Sequence, residues 1–342
     1  MRDIKNKKIL VTGGSGFLGS HVVENLITRG VPRKNITVSR SKDVSFAKTH
    51  ARVTDDSPEN LGVDVIYGVD LRNDEDCKKV LKGQELVIHL AAKVGGIGFN
   101  QEKPGELFYD NIVMGARMID AAYHMGIEKI VVLGTVCAYP KFAPVPFMEK
   151  DLWNGYPEET NAPYGLAKKA LLTQSQAYRA EYGFNSIFLL PVNLYGPRDS
   201  FDPRKSHVIP ALIKKVADAK VQGESFVELW GTGKATREFL YVEDAAEGIV
   251  LALLHYEKSD PVNLGSGTEI SIKNLIYTIS RLMDYKGEIR WDRSMPDGQP
   301  RRMLDTSRAK REFGFEATTG FEDGLKKTIE WYIKRQNKTL GS

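Results

Sequence analysis

Cysteine is nearly absent: Cys77 and Cys137 are the two thiols in 342 residues. That excludes a disulfide framework and a Cys-rich zinc site, and it fits a reducing compartment. No metal is expected. Long apolar runs are missing too; none approaches the roughly 18 residues of a membrane span. The opening Met1-Arg2-Asp3-Ile4-Lys5-Asn6-Lys7-Lys8 leads into an apolar stretch too short for a signal peptide. A cytoplasmic protein without a membrane partner is expected. Nor is one sign of charge in excess, since 48 basic residues meet 44 acidic ones for a net +4. They interleave along the chain instead of gathering in a stripe, which argues against nucleic acid as a partner. Repeats and low-complexity tracts are lacking.

What is present is ordinary globular composition, 42% apolar and 27% charged. The length suits one large α/β unit or two coupled domains. Short β-branched runs (Lys8–Thr12, Ile36–Ser39, Val63–Tyr67, Leu86–Leu90, Lys129–Leu133, Ser186–Leu190) alternate with helical segments starting near Phe17, Asp74, Gly105 and Pro163. Such alternation predicts a doubly wound parallel sheet of Rossmann type. Beyond Gly196 the alternation weakens, and a smaller α/β substrate-binding lobe is expected over the carboxyl ends of the strands. The division expected is a dinucleotide domain over 1–195 with 236–265, a lobe over 196–235 and 266–335, and a frayed tail over 336–342.

The first strand runs into Gly13-Gly14-Ser15-Gly16-Phe17-Leu18-Gly19, and a helix follows at once. Glycines at this spacing let backbone N–H groups approach a diphosphate, and the helix N-terminus adds partial positive charge. A dinucleotide site is expected there. An NAD site usually places Asp or Glu at the end of the second strand, for the ribose 2′-hydroxyl. This chain reads Ser39-Arg40-Ser41-Lys42 instead. A guanidinium suits a 2′-phosphate, so NADP(H) is the expected cofactor; a solvated basic loop is the competing account. Asp70 and Leu71, after the third strand, are candidates to hold the adenine.

Among 14 tyrosines, Tyr164 alone has a lysine, Lys168, four residues on. Residues so spaced share a helix face. A nearby ammonium would lower the phenol towards neutrality and ready it for proton exchange with a carbonyl or alcohol oxygen. Together with the glycine loop and Thr135 at a strand end, the pair resembles the extended short-chain dehydrogenase/reductase family over most of the chain. That resemblance implies a Thr135–Tyr164–Lys168 catalytic triad. It also implies cofactor contacts from Ala91, Ala92, Pro191, Asn193, Leu194 and His207 beside the glycine loop, Tyr164 and Lys168, and a homodimer formed through the helix of Met114 to Tyr123 and the Tyr–Lys helix.

Four stretches narrow the branch: Ala91-Ala92-Lys93-Val94-Gly95-Gly96-Ile97; Gly134-Thr135-Val136-Cys137-Ala138-Tyr139-Pro140; Asn193-Leu194-Tyr195-Gly196-Pro197 with Ser206-His207-Val208-Ile209-Pro210; and Trp230-Gly231-Thr232-Gly233 with Arg237-Glu238-Phe239 and Pro296-Asp297-Gly298. They are similar to NADPH-dependent epimerase–reductases of GDP-linked 4-keto sugars. A ketone at C4 acidifies the protons on C3 and C5. By this resemblance Cys137 removes such a proton and His207 returns one on the other face; then hydride reaches C4 and Tyr164 supplies the proton. Taken alone, a cysteine is more often a small buried hydrophobe. The resemblance also implies substrate contacts from Asn193, His207, Lys215, Trp230, Arg237 and Asp297, with Arg301 and Arg302 as additional phosphate candidates. Competing expectations are a 4-keto reductase, 4-epimerase or dehydratase of another nucleotide sugar, and, more remotely, a non-catalytic NADP sensor.

Overall fold

The structure is a computed structural model that describes residues 3–41, 60–203, 206–295 and 299–340. Its centre is a sheet of seven parallel strands: β1 (Ile9–Thr12), β2 (Ile36–Ser41), β3 (Asp64–Val69), β4 (Leu86–His89), β5 (Lys129–Leu133), β6 (Ser186–Pro191) and β10 (Val262–Leu264). The spatial order is β10-β6-β5-β4-β1-β2-β3. Side chains of β1, β4, β5 and β6 are buried on both faces, which is why they read as unbroken apolar runs. Strand order reverses between β1 and β4, and a crevice opens there at the carboxyl ends.

Helices α1 (Phe17–Thr28), α2 (Asp74–Leu81), α4 (Pro104–His124) and α5 (Ala162–Tyr182) cover the sheet, and a short α3 (Ile97–Glu102) precedes α4. The second lobe comprises β7 (Asn193–Tyr195), α6 (Val208–Gln222), β8 (Phe226–Trp230), β9 (Thr236–Tyr241), β11 (Glu269–Ser271), α8 (Ile272–Leu282), β12 (Glu288–Asp292) and α10 (Phe321–Leu340). There β9 lies between β7 and β11, while β8 pairs with β12. Ile213, Val216, Leu275, Ile276, Leu325 and Ile329 belong to its own apolar core.

The division expected from the sequence changes in several places. Strands β7 and β9, expected in the dinucleotide domain, form one sheet with β11 in the second lobe. Leu304, Ala309, Phe313 and Phe315 belong to the first core, so this part of 266–335 packs with the sheet. Helix α9 (Ser307–Phe313) rests on β10 and on α7 (Val242–His255). The tail expected to fray is helical through Leu340. Buried Ile329 and Tyr332 anchor α10, and no glycine or proline interrupts the chain beyond Gly324 until Gly341.

Lys129 shows how the layers are fastened. Its side chain is fully buried, and Nζ donates to the carbonyls of Ala252 and Leu253 at 3.1 and 2.7 Å, at the end of α7. A cation there offsets the negative helix end. Lys129→Met would take the ammonium from the Leu253 and Tyr256 carbonyls, whereas the Ala252 carbonyl keeps the Tyr256 N–H; each carbonyl left without a partner costs about 1–3 kcal/mol. The expected result is a lower urea midpoint with unchanged slope; an unchanged midpoint would show that the ammonium contributes nothing net.

Candidate active site

The glycine loop is set by contacts that leave no room for side chains. Gly13 has φ +69°, and a Cβ on it would sit 3.0 Å from the Ala91 nitrogen. A Cβ on Gly19 would meet the Gly13 carbonyl oxygen at 2.2 Å. The first turn of α1 therefore lies directly on the loop. Gly16 caps α1 without any side-chain hydrogen bond, so no side chain blocks the N–H groups of its first turn. Ser15 and Phe17 are half-buried, and Leu18 packs on the core. The floor is fixed as well: Thr12 Oγ1 accepts from the Ala91 N–H at 3.2 Å and pairs with His89 Nδ1 at 2.8 Å. Burial lowers the His89 imidazole to about 3, so it is neutral. Ala92 follows at the same strand end, half-buried.

At the end of β2, Arg40 lies 5.9 Å over the Tyr67 ring and is half-buried. Its neighbour Lys42 lies outside the described residues. The Asp70 carboxylate is already engaged, accepting from the Arg72 backbone N–H, Nε and Nη2 at 2.9–3.0 Å. The carboxylate expected near the adenine is thus oriented by a neighbour two residues on. Leu71 is buried beside it.

The carboxyl end of β5 carries the candidate reacting groups. Thr135 caps a short helical turn, its hydroxyl accepting from the Cys137 N–H at 3.2 Å. The hydroxyl proton stays available for a substrate oxygen. Helix α5 passes so close that a Cβ on Gly165 would lie 2.4 Å from the Cys137 carbonyl oxygen. Tyr164 is thereby brought beside this turn. Burial, and secondly nearby Cys137, push its phenol above the ordinary range.

Here the sequence expectation is corrected. Lys168 Nζ stands 5.8 Å from the Tyr164 ring centroid and donates to the Leu133 carbonyl at 2.8 Å. Burial lowers the ammonium to about 8. The helical spacing put both residues on one face, but the lysine bonds the strand, and burial raises the phenol instead of the lysine lowering it.

Arg302, considered from the sequence as a phosphate contact, points its guanidinium at Cys137, with Nη1 3.6 Å from Sγ. Arg301 instead pairs with Glu269. Nothing in the local sequence marks the Arg302–Cys137 contact, since the partners are 165 residues apart.

The remaining candidates come from the end of β6 and from the second lobe. Pro191 ends β6, Asn193 Nδ2 donates to the Glu238 carbonyl at 3.1 Å, and Leu194 packs on the first core. His207 precedes α6 and stays accessible to solvent although protein crowds it, as for a group lining a cleft. That crowding lowers its imidazole, which makes the imidazolium rarer but a stronger acid. Lys215 and Trp230 line a groove of about 760 Å³ together with Phe226 and Glu228. Lys215 Nζ donates to the Glu228 carbonyl at 2.8 Å, and Trp230 is 69% exposed, a flat face open to a ring. Arg237 Nη1 donates to the Thr236 carbonyl. Asp297 lies outside the described residues. Thr135, Cys137, Tyr164, Lys168 and Arg302 are thus gathered at one strand end, whereas His207 and the groove residues come from the second lobe. No group of three or more His, Cys, Asp or Glu fit to hold a metal occurs among the described residues.

A glycine loop between β1 and α1, a Tyr–Lys helix packed on the turn after β5, and a second lobe define a Rossmann protein of short-chain dehydrogenase type. The chain belongs to the NAD dependent epimerase/dehydratase family, which it matches over residues 9–265. It is 37% identical over 332 residues to GDP-L-fucose synthase of Sinorhizobium fredii (strain NBRC 101917 / NGR234), covering 96% of both chains. Among solved structures it resembles a GDP-L-fucose synthetase from Naegleria fowleri bound to NADP, with 25% identity, a TM-score of 0.80, and 98% and 96% of the two chains covered. It also resembles a GDP-mannoheptose C4 reductase from Campylobacter jejuni with NADP bound, with 26% identity, a TM-score of 0.79, and 97% and 99% covered.

Proposed function

We propose that this chain is an NADPH-dependent epimerase–reductase that converts GDP-4-keto-6-deoxy-D-mannose to GDP-L-fucose, working as a homodimer in the cytoplasm. The observation that carries this reading is Cys137 in the turn after β5, its N–H bonded to the Thr135 hydroxyl and its side chain near enough to Tyr164 to act on the phenol. A protein that only moves hydride needs no base there. The near full-length similarity to GDP-L-fucose synthase supports the same assignment.

The glycine loop and the N-terminus of α1 fit the diphosphate of the cofactor, and Arg40 fits its 2′-phosphate. NADPH supplies hydride when bound; the chain's own residues do the rest. Cys137 takes the proton from the carbon beside the ketone. Thr135 and Tyr164 hydrogen-bond the C4 oxygen as it gains charge. His207 returns a proton on the opposite face. Tyr164, held protonated by burial, then protonates the C4 oxygen as hydride arrives. Lys168 fixes the end of β5 and offers a buried cation near the nicotinamide ribose.

The test is turnover of purified protein with NADPH and a panel of nucleotide-linked 4-keto sugars. GDP-4-keto-6-deoxymannose should consume NADPH and give a product inverted at C3 and C5. No consumption would reject the substrate; consumption without inversion would favour a C4-only reductase, the activity named for the Campylobacter jejuni relative. In deuterium oxide, Cys137→Ser should slow uptake at C3 and C5 by about 10²-fold or more while NADPH binding persists. Normal uptake would remove Cys137 from the mechanism.

The dimer would form through α4 and α5. Met118, Ile119, Ala121 and Ala122 are spent on the chain's own core, so the faces left for a partner lie nearer Phe108 and Tyr109, which are exposed.

A further inference from the structure

We propose that Arg302 is a positioning residue for Cys137: its guanidinium is a fixed cation that holds the sulfur ready to take a carbon-bound proton. The inference rests on the reading of Cys137 as the base, and it adds a residue from a distant segment to that site.

Geometry carries it. Nη1 donates to Sγ at 3.6 Å, within hydrogen-bond reach of sulfur. Arg302 is only 9% exposed. Its other two nitrogens are also committed within the protein, with Nε and Nη2 donating to Gln299 Oε1 at 3.2 and 2.9 Å. Gln299 is held in turn, its Nε2 donating to the Lys141 carbonyl at 2.9 Å. All three guanidinium nitrogens are therefore engaged, which is a poor arrangement for gripping a mobile diphosphate.

The backbone is pinned as firmly. The Arg302 carbonyl accepts from the Glu238 N–H at 3.1 Å, and the Leu304 N–H donates to the Glu238 carboxylate at 2.6 Å. That carboxylate is fully buried and also accepts from the Gly267 N–H at 2.7 Å. Strand β9 thus clamps the segment that delivers the cation.

A guanidinium is permanently charged and its planar donors keep their direction, so the sulfur faces a fixed cation when it takes up a proton. In the step it assists, the C–H bond next to the C4 carbonyl breaks and an S–H bond forms. The electron pair moves to the C4 oxygen as an enolate, where Thr135 and Tyr164 receive it. Charge leaves the sulfur beside Arg302 and arrives at the oxygen beside the two hydroxyls; nothing is oxidised or reduced.

The experiment compares the wild-type chain with Arg302→Met and Arg302→Lys, all loaded with NADPH. Alkylation of Cys137 by iodoacetamide is followed at one fixed pH by peptide mass spectrometry, which separates it from buried Cys77. Arg302→Met should slow alkylation about tenfold or more and lower deuterium uptake at C3 and C5 by a similar factor, with NADPH affinity unchanged. Arg302→Lys should recover most of both, because a merely space-filling role would not need the charge. If Arg302→Met does not fold, Gln299→Ala, which unlocks the guanidinium, should slow alkylation in the same direction. Unchanged alkylation in a folded Arg302→Met or Gln299→Ala protein overturns the proposal. Slowed alkylation combined with normal deuterium uptake in Cys137→Ser would leave the pairing standing and reject instead the role given to Cys137.

Discussion

Tyr164→Phe should lower NADPH consumption by about 10²–10⁴-fold, the range typical of a lost general acid, while leaving the fold and cofactor binding intact. In the proposed mechanism the phenol protonates the C4 alkoxide, and removing its oxygen takes away both that proton and a hydrogen bond that strengthens as charge develops. The variant keeps the ring, so packing around the Cys137 turn is retained. Loss of nicotinamide absorbance with the 4-keto sugar measures the effect; a variant that still turns over within tenfold of wild type would exclude Tyr164 as the donor. Deuterium uptake at C3 and C5 should survive in part, because Thr135 still faces the C4 oxygen. The pH dependence follows from burial. Lys168 is lowered to about 8, so its ammonium is present below that value and lost above it. Tyr164 stays protonated well beyond. Reduction should therefore be flat through neutrality and fall as pH rises through about 8, and Lys168→Arg, which keeps its charge, should remove that fall.

Gly19→Ala should abolish useful cofactor binding. The added Cβ would lie 2.2 Å from the Gly13 carbonyl oxygen and 2.6 Å from Gly14 Cα, both backbone atoms that cannot swing aside. Either α1 moves off the loop or the loop opens, and in both cases the N–H groups no longer converge on one anion. Overpacking of this kind costs about 1–3 kcal/mol of stability, and NADPH affinity should fall by about 10²-fold or more for loss of charge-assisted hydrogen bonds worth about 1.5–3 kcal/mol each. Gly105→Ala is the matched control: nothing lies within 4 Å of its Cβ position, so neither quantity should change appreciably. Titration of NADPH and thermal unfolding of the two variants decide the matter; retained affinity in Gly19→Ala would mean the diphosphate binds elsewhere.

Much of this site was legible in the chain because its parts are local. Glycines three apart, a tyrosine four residues before a lysine, and the missing acid after β2 are covalent spacings, and the strand or helix that contains them fixes where they point. The six strands read from apolar runs reappear within one or two residues at most ends; for β1, β4, β5 and β6 burial on both faces leaves no other composition open. Departures arose from packing between elements: residues 304–317 joined the first core, and α10 continued where polar sequence suggested fraying.

By itself, then, the sequence determined the doubly wound fold, the dinucleotide loop and the inventory of reacting groups. Tertiary structure decided how those groups are tuned. Lys168 faces the Leu133 carbonyl instead of the Tyr164 hydroxyl, burial keeps the phenol protonated, and Arg302 reaches Cys137 across 165 residues of chain. The physical reason is the same in each case. Which polar partner a buried group finds, and how much water it loses, depends on packing between elements, and no periodicity along the chain encodes it.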